Sequence, residues 1–157
     1  MGIWELGVSD YHGGDAPSYP CIRMSEAPPP DFDWVTRRAK CSAESMFGVL
    51  RRLAQENILR RNAVSEPHEG AERFRLEEPD GRCHFVVYEP TTTGSRKAVD
   101  FRLEGGAIHV KSGKGDAFEA TLTLDNNGRC KFKVGEDELD AWQVLKLGLE
   151  PLFFGRA

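Results

Sequence analysis

The chain has 157 residues, 39 % of them hydrophobic and 29 % charged, a size and balance suited to one domain around a single buried core. No apolar run in it approaches the roughly 18 residues a membrane helix needs, so a helical membrane span is excluded. The formal net charge of -4 excludes a surface coated throughout in positive charge for nucleic acid, while leaving room for a local basic face.

Residues 1–31 contain "HGGDAPSYP" and "APPP", where glycine and proline deny the backbone a regular helix or central strand. They predict an irregular strap, with a single α+β domain over 32–157. The opening "MGIWELGVSD" shows no basic stretch leading into an apolar one, and Leu6 stands where a myristoylation signal wants Ser or Thr. A cytoplasmic chain is the expectation. Pro28, Pro29 and Pro30 read as a spacer, and Asp10, His12 and Asp15 in "DYHGGD" read as turn residues rather than metal ligands. His12, Gly13 and Gly14 echo part of an esterase oxyanion loop, but no GxSxG elbow is present for it to serve. The four cysteines, Cys21, Cys41, Cys83 and Cys130, are widely spaced and form no CxxC pair, so free thiols are expected.

From Asp31 the pattern changes. "DFDWVTRRAKC" reads as a strand, and the stretch from Ser42 as an amphipathic helix, the two together filling 32–63. Ser42 is a candidate N-cap, and Met46, Phe47, Leu50, Leu53, Ala54 and Ile58 form one apolar stripe. Arg51, Arg52, Arg60 and Arg61 fit a solvated helix face, since Glu56 lies four residues from both Arg52 and Arg60.

Residues 72–135 read as a six-stranded antiparallel meander whose turns choose the register. A tight turn at Gly105 and Gly106 places Leu103 opposite Ile108, Phe101 opposite Val110 and Asp100 opposite Lys111. A loop of Asn126, Asn127 and Gly128 pairs Leu124 with Cys130 and Leu122 with Phe132, and the loop around Lys114 pairs Val110 with Phe118 and Ile108 with Ala120. Asp80 and Gly81 read as a hairpin turn pairing Leu76 with Phe85 and Phe74 with Val87, and "TTTGS" aligns Phe85 with Phe101. The parity is consistent, gathering Phe74, Leu76, Cys83, Phe85, Val87, Val99, Phe101, Ile108, Val110 and Phe132 on one face.

That face needs a cover. The helix from Ser42 provides one, and a C-terminal helix over 136–150, with acids in its first turn and Leu139, Trp142, Leu145 and Leu149 on one stripe, provides a second. The order strand, helix, meander, helix over 32–154 resembles that of helix-grip proteins of the lipid-transfer and START type, which implies a curved sheet enclosing an apolar ligand.

"EGGAIHVKSGKGD" suggests a phosphate loop, but Val110 occupies the second glycine position of GxxxxGK, and the stretch joins strand to strand with no helix N-terminus to meet a phosphate. The register instead lines up Glu77, His84, Arg102, His109 and Glu119 across the polar face. These are candidates either for acid–base chemistry, with His84, His109 and Glu119 moving protons and Arg102 holding an anion, or for a ladder of cross-strand charges. Arg73, Arg75, Arg82, Arg96, Arg102, Lys111, Arg129, Lys131 and Lys133 are placed on the same face against Glu77, Asp100, Glu104, Glu119 and Asp125, a surplus of about +4 that would steer an anionic partner.

The expectation is a non-catalytic module of inhibitor, immunity or adaptor type, with no cofactor or metal. It would bind an acidic protein surface through Arg73, Arg75, Arg82, Arg102, Lys111, Lys131 and Lys133, or through the apolar C-terminus at Phe153 and Phe154. The alternatives are a carrier or sensor of an apolar small molecule between sheet and helices, and the acid–base enzyme above. With Tyr88 the one stacking aromatic placed on the face, nucleic acid is disfavoured.

Overall fold

The structure, a computed structural model, describes residues 32–64, 73–91, 94, 96–113 and 115–155. The strap expected over 1–31 and the segment with Asp10, His12 and Asp15 lie outside them, as does Cys21.

The described chain is α+β. Helices α1 (Trp34–Lys40) and α2 (Ala43–Val64) precede strands β1 (Arg75–Glu77), β2 (His84–Glu89), β3 (Lys97–Glu104), β4 (Ala107–Ser112), β5 (Ala117–Leu124), β6 (Cys130–Val134) and β7 (Asp137–Leu139), and α3 (Ala141–Phe154) closes the order. The strands form one seven-stranded antiparallel meander in chain order. Among the described residues, no helix is long and apolar enough to cross a membrane.

Eight of the expected pairings are present, among them Phe85 with Phe101, Leu103 with Ile108, Val110 with Phe118 and Leu122 with Phe132. The Gly105–Gly106 turn works because both residues take positive φ, 59° and 78°, matching the twist of the flanking strands. Strand β5 hands the pairing on midway, meeting β4 along 117–120 and β6 along 121–124.

Four expectations are corrected. The segment read as a strand is α1, started by the Asp33 carboxylate, which accepts the Thr36 backbone N–H at 2.9 Å, and finished by Arg37, Arg38 and Lys40 in its last turn. This also replaces the first strand of the helix-grip order with a helix.

The first hairpin has Leu76 opposite Val87 and Glu77 opposite Val86, two residues from the expected register. Asp80 and Gly81 do not close a two-residue turn. They lead into a 3₁₀ turn over Gly81–Cys83 that lengthens the connection, so Cys83 is exposed rather than inside. A shift of two preserves the alternation, and Leu76 still packs on the core.

The seventh strand was read as the first turn of the C-terminal helix. Gly135, at φ 60°, turns the chain back on β6, and the helix starts only after Asp140, whose backbone N–H is capped by Gln143 Oε1 at 2.7 Å. Leu139 therefore ends a strand and Trp142 is 58 % exposed, while Leu145 and Leu149 are buried as expected.

Finally, Cys41 and Cys130 form a disulfide with a Cα–Cα distance of 5.5 Å, joining the α1–α2 junction to the start of β6. Their separation of 89 residues hid the pair from a reading based on spacing.

The core lies between the sheet's inner face and the helices. Phe85 stacks on Phe101 with ring centroids 4.6 Å apart, and Phe47 of α2 tilts against Phe85 at 5.2 Å. α3 can approach the strands closely because Gly148 has no side chain: a Cβ there would stand 3.1 Å from Phe101 Cζ and 3.2 Å from Val110 Cγ1. At the sheet's edge, Asn62 of α2 acts as a substitute strand, donating to Phe74 O and accepting from Phe74 N, both at 3.0 Å. α2 and α3 supply the helical side of this core.

Candidate outer-face binding trough

The tight turns around β3 and β4 decide which side chains stand together on the outer face. His84 lies opposite Arg102, Arg102 opposite His109, and His109 opposite Glu119, while Asp100 lies opposite Lys111. Four of the five residues of the expected row are thus neighbours. Glu77 is not beside His84, because the shifted first hairpin puts it beside Val86.

A trough of about 670 Å³ is lined by Asp100, Arg102, His109, Lys111 and the bare backbone of Gly113 and Gly115. Arg102 is about half exposed and 4.0 Å from Asp100, and His109 Nδ1 stands 3.5 Å from Glu119 Oε2. These loose, solvated pairs leave the guanidinium and the imidazole available to a ligand.

His84 is different. It is 5 % exposed, with Nδ1 2.9 Å from Asp80 Oδ2 and Nε2 2.9 Å from Asp100 Oδ1. The sequence reading missed this clamp because Asp80 read as a hairpin residue and Asp100 as the partner of Lys111. With His84 enclosed between two carboxylates and His109 open to solvent, the row does not bring two exposed histidines to one reacting atom.

The remaining expected cations are largely matched by acids. Arg73 pairs with Glu89 at 2.7 Å, Lys131 with Asp140, and Lys133 lies opposite Glu138. Arg96 holds Glu77 at 2.5 Å while its guanidinium sits 3.7 Å over the Tyr88 ring. The Tyr88 hydroxyl donates to Glu77 at 2.6 Å, and this bond, with that from Arg96, holds the Glu77 carboxyl below its ordinary range. Arg75 projects from the edge strand and Arg82 from the 3₁₀ turn. Glu89, Asp140 and Glu138 thus stand against three of the nine cations placed on this face, acids that the count from sequence did not include. What remains is the local arrangement in the trough.

The C-terminal aromatics divide. Phe153 is 7 % exposed and meets Phe74 edge-on at 4.9 Å, so it belongs to the core and not to a binding surface. Phe154 is 65 % exposed, with the Arg61 guanidinium 4.8 Å from its ring centre.

Other hollows lie among the described residues. A cleft of about 170 Å³ lies where the end of α3 meets β3 and β4, lined by Lys97, Val99, Ser112, Asp116, Pro151 and Leu152. The Ser112 hydroxyl is buried there without a hydrogen-bond partner among the described residues. A groove of about 580 Å³ beside α1 exposes Trp34 and Val35. Set against family models, curated proteins and solved structures, the chain gives no match to any of the three.

Proposed function

We propose that the protein is a small non-catalytic binding module, of inhibitor, immunity or adaptor type, that receives an acidic side chain of a protein partner in the outer-face trough. The observation that carries this reading is the trough where Arg102, Lys111 and His109 converge around about 670 Å³. Within the trough, Arg102 and Lys111 stand against Asp100, a balance of one positive charge that suits a single carboxylate. The rim of matched ion pairs discourages partners of uniform charge and favours one whose acidic residue fits this spot.

The test is fluorescence anisotropy of a labelled oligoglutamate peptide. Alanine at Arg102 and at Lys111 should each weaken binding about tenfold or more, as expected for losing one charge-assisted contact. Alanine at Arg75, outside the trough, should leave it within about twofold. Equal effects at all three positions would sink the trough reading.

A second reading, a carrier of a small apolar ligand, is favoured by one observation, the orphan Ser112 hydroxyl at the cleft of about 170 Å³. Native mass spectrometry of protein purified gently from its source distinguishes the two. A retained small molecule supports the carrier, and a stoichiometric protein partner supports the module.

A further inference from the structure

His84 is a buried side chain that the binding of an anion does not itself require. Both of its ring nitrogens lie within hydrogen-bonding distance of carboxylates, Asp80 from the 3₁₀ turn and Asp100 from β3. Two such bonds need a proton on each nitrogen, since an ionised carboxylate only accepts. The doubly protonated ring then carries one positive charge directly against Asp100, the acid that lines the trough and faces Lys111.

We infer that His84 is a positioning and charge-compensating residue that makes the trough's affinity for a carboxylate depend on protonation. When His84 carries both protons, Asp100 is neutralised from the strand beside it, and Arg102 and Lys111 are left to the incoming anion. When one proton leaves, a hydrogen bond is lost and the Asp100 charge turns against the two cations. The inference rests on the trough being an anion site, and it adds to that reading a direction: binding weakens as pH rises.

The other charged groups around His84 support this assignment. Arg102 lies directly across from it on β3, and Arg82 belongs to the same turn as Asp80. Glu77 of β1 is occupied by Tyr88 and Arg96, and Arg51 of α2 holds Glu78 at 3.0 Å near the turn. Histidine is the side-chain type whose charge ordinarily changes near neutral pH, and besides the exposed Cys83 thiol in the turn the group to be separated from His84 is the second histidine, His109, in the trough itself. A direct contribution of His109 has the same sign, so the two must be separated experimentally.

The experiment measures labelled oligoglutamate binding by anisotropy from about pH 5.5 to about pH 8.5 at fixed ionic strength, a range in which the peptide stays ionised and histidine titrates. All proteins carry Cys83→Ser, so that the neighbouring thiol contributes nothing. One unit of charge at this distance and intermediate screening should lower affinity about three- to tenfold across the range. The His109→Gln protein should keep that fall, and the His84→Gln protein should bind with a flat profile. A flat profile with His84 present, or a fall that vanishes with His109→Gln and survives His84→Gln, would overturn the inference while leaving the trough standing. Absence of binding at the low-pH end overturns the trough reading, and this inference with it. Should His84→Gln fail to fold, ¹⁵N spectra of the His84 ring decide the matter. Two protonated nitrogens at low pH, one lost in step with affinity, support the inference, and a single N–H throughout overturns it.

Discussion

Reduction of the Cys41–Cys130 bridge should cost this fold a large part of its stability. The bond spans 89 residues, enclosing α2 and most of the sheet. In the chain-entropy treatment, a loop of that length removes about 4–5 kcal/mol of disorder from the unfolded state, comparable with the whole net stability of many domains. Native packing changes little on reduction, because Cys41 is already buried at 4 % exposure and Cys130 sits on β6. The assay is urea unfolding of oxidised and reduced protein with Cys83→Ser in both, after peptide mapping has identified the linkage. With a slope of about 2 kcal/mol per molar, the midpoint should fall by about 2 M. A shift below about 0.5 M, on the same scale, would refute the argument that the bridge acts by restricting the unfolded chain.

Three further outcomes follow from the packing and the charges. Gly148→Ala should destabilise by about 1–3 kcal/mol in the same unfolding assay, although alanine is the better helix former, because the new methyl group meets Phe101 and Val110 at 3.1 and 3.2 Å. Adjacent aromatics should behave differently: Phe153→Ala should cost about 3–5 kcal/mol through the cavity it leaves, and Phe154→Ala less than about 1 kcal/mol. Glu77 has a folded-state pKa lowered by the Tyr88 hydroxyl and by Arg96, so its contribution is present above its unfolded value, near 4.5, and is lost as pH falls through the lowered one. Acid unfolding of Glu77→Gln should therefore be less steep than that of the unaltered protein, and superimposable curves would show that the contact contributes nothing.

The site was legible to the extent that it depends on alternation. Arg102, His109 and Glu119 could be placed side by side because each lies a fixed number of residues from a glycine turn whose geometry sets the register. Their setting could not. The trough depends on how residues of β3, β4 and the glycines beyond β4 come together, and the matching of Arg73 by Glu89 or Lys131 by Asp140 joins residues from different elements. Counting charges on one face overlooked acids such as Glu89 and Asp140 that stand beside its cations.

Local chemistry in the sequence determined the α+β class, the long amphipathic helix, the meander and the register of β2 through β6, because period and turn geometry act over a few residues. The tertiary structure alone decided the fate of ambiguous segments. Residues 34–40 carry enough alternation for a strand, but a capping aspartate and a bridge to β6 make them a helix, and "DEL" becomes a strand because β6 presents an open edge. It also decided that Cys41 meets Cys130 and that His84 is enclosed by Asp80 and Asp100. Those pairings depend on where distant stretches of chain are brought by packing of the core, which local pattern does not encode.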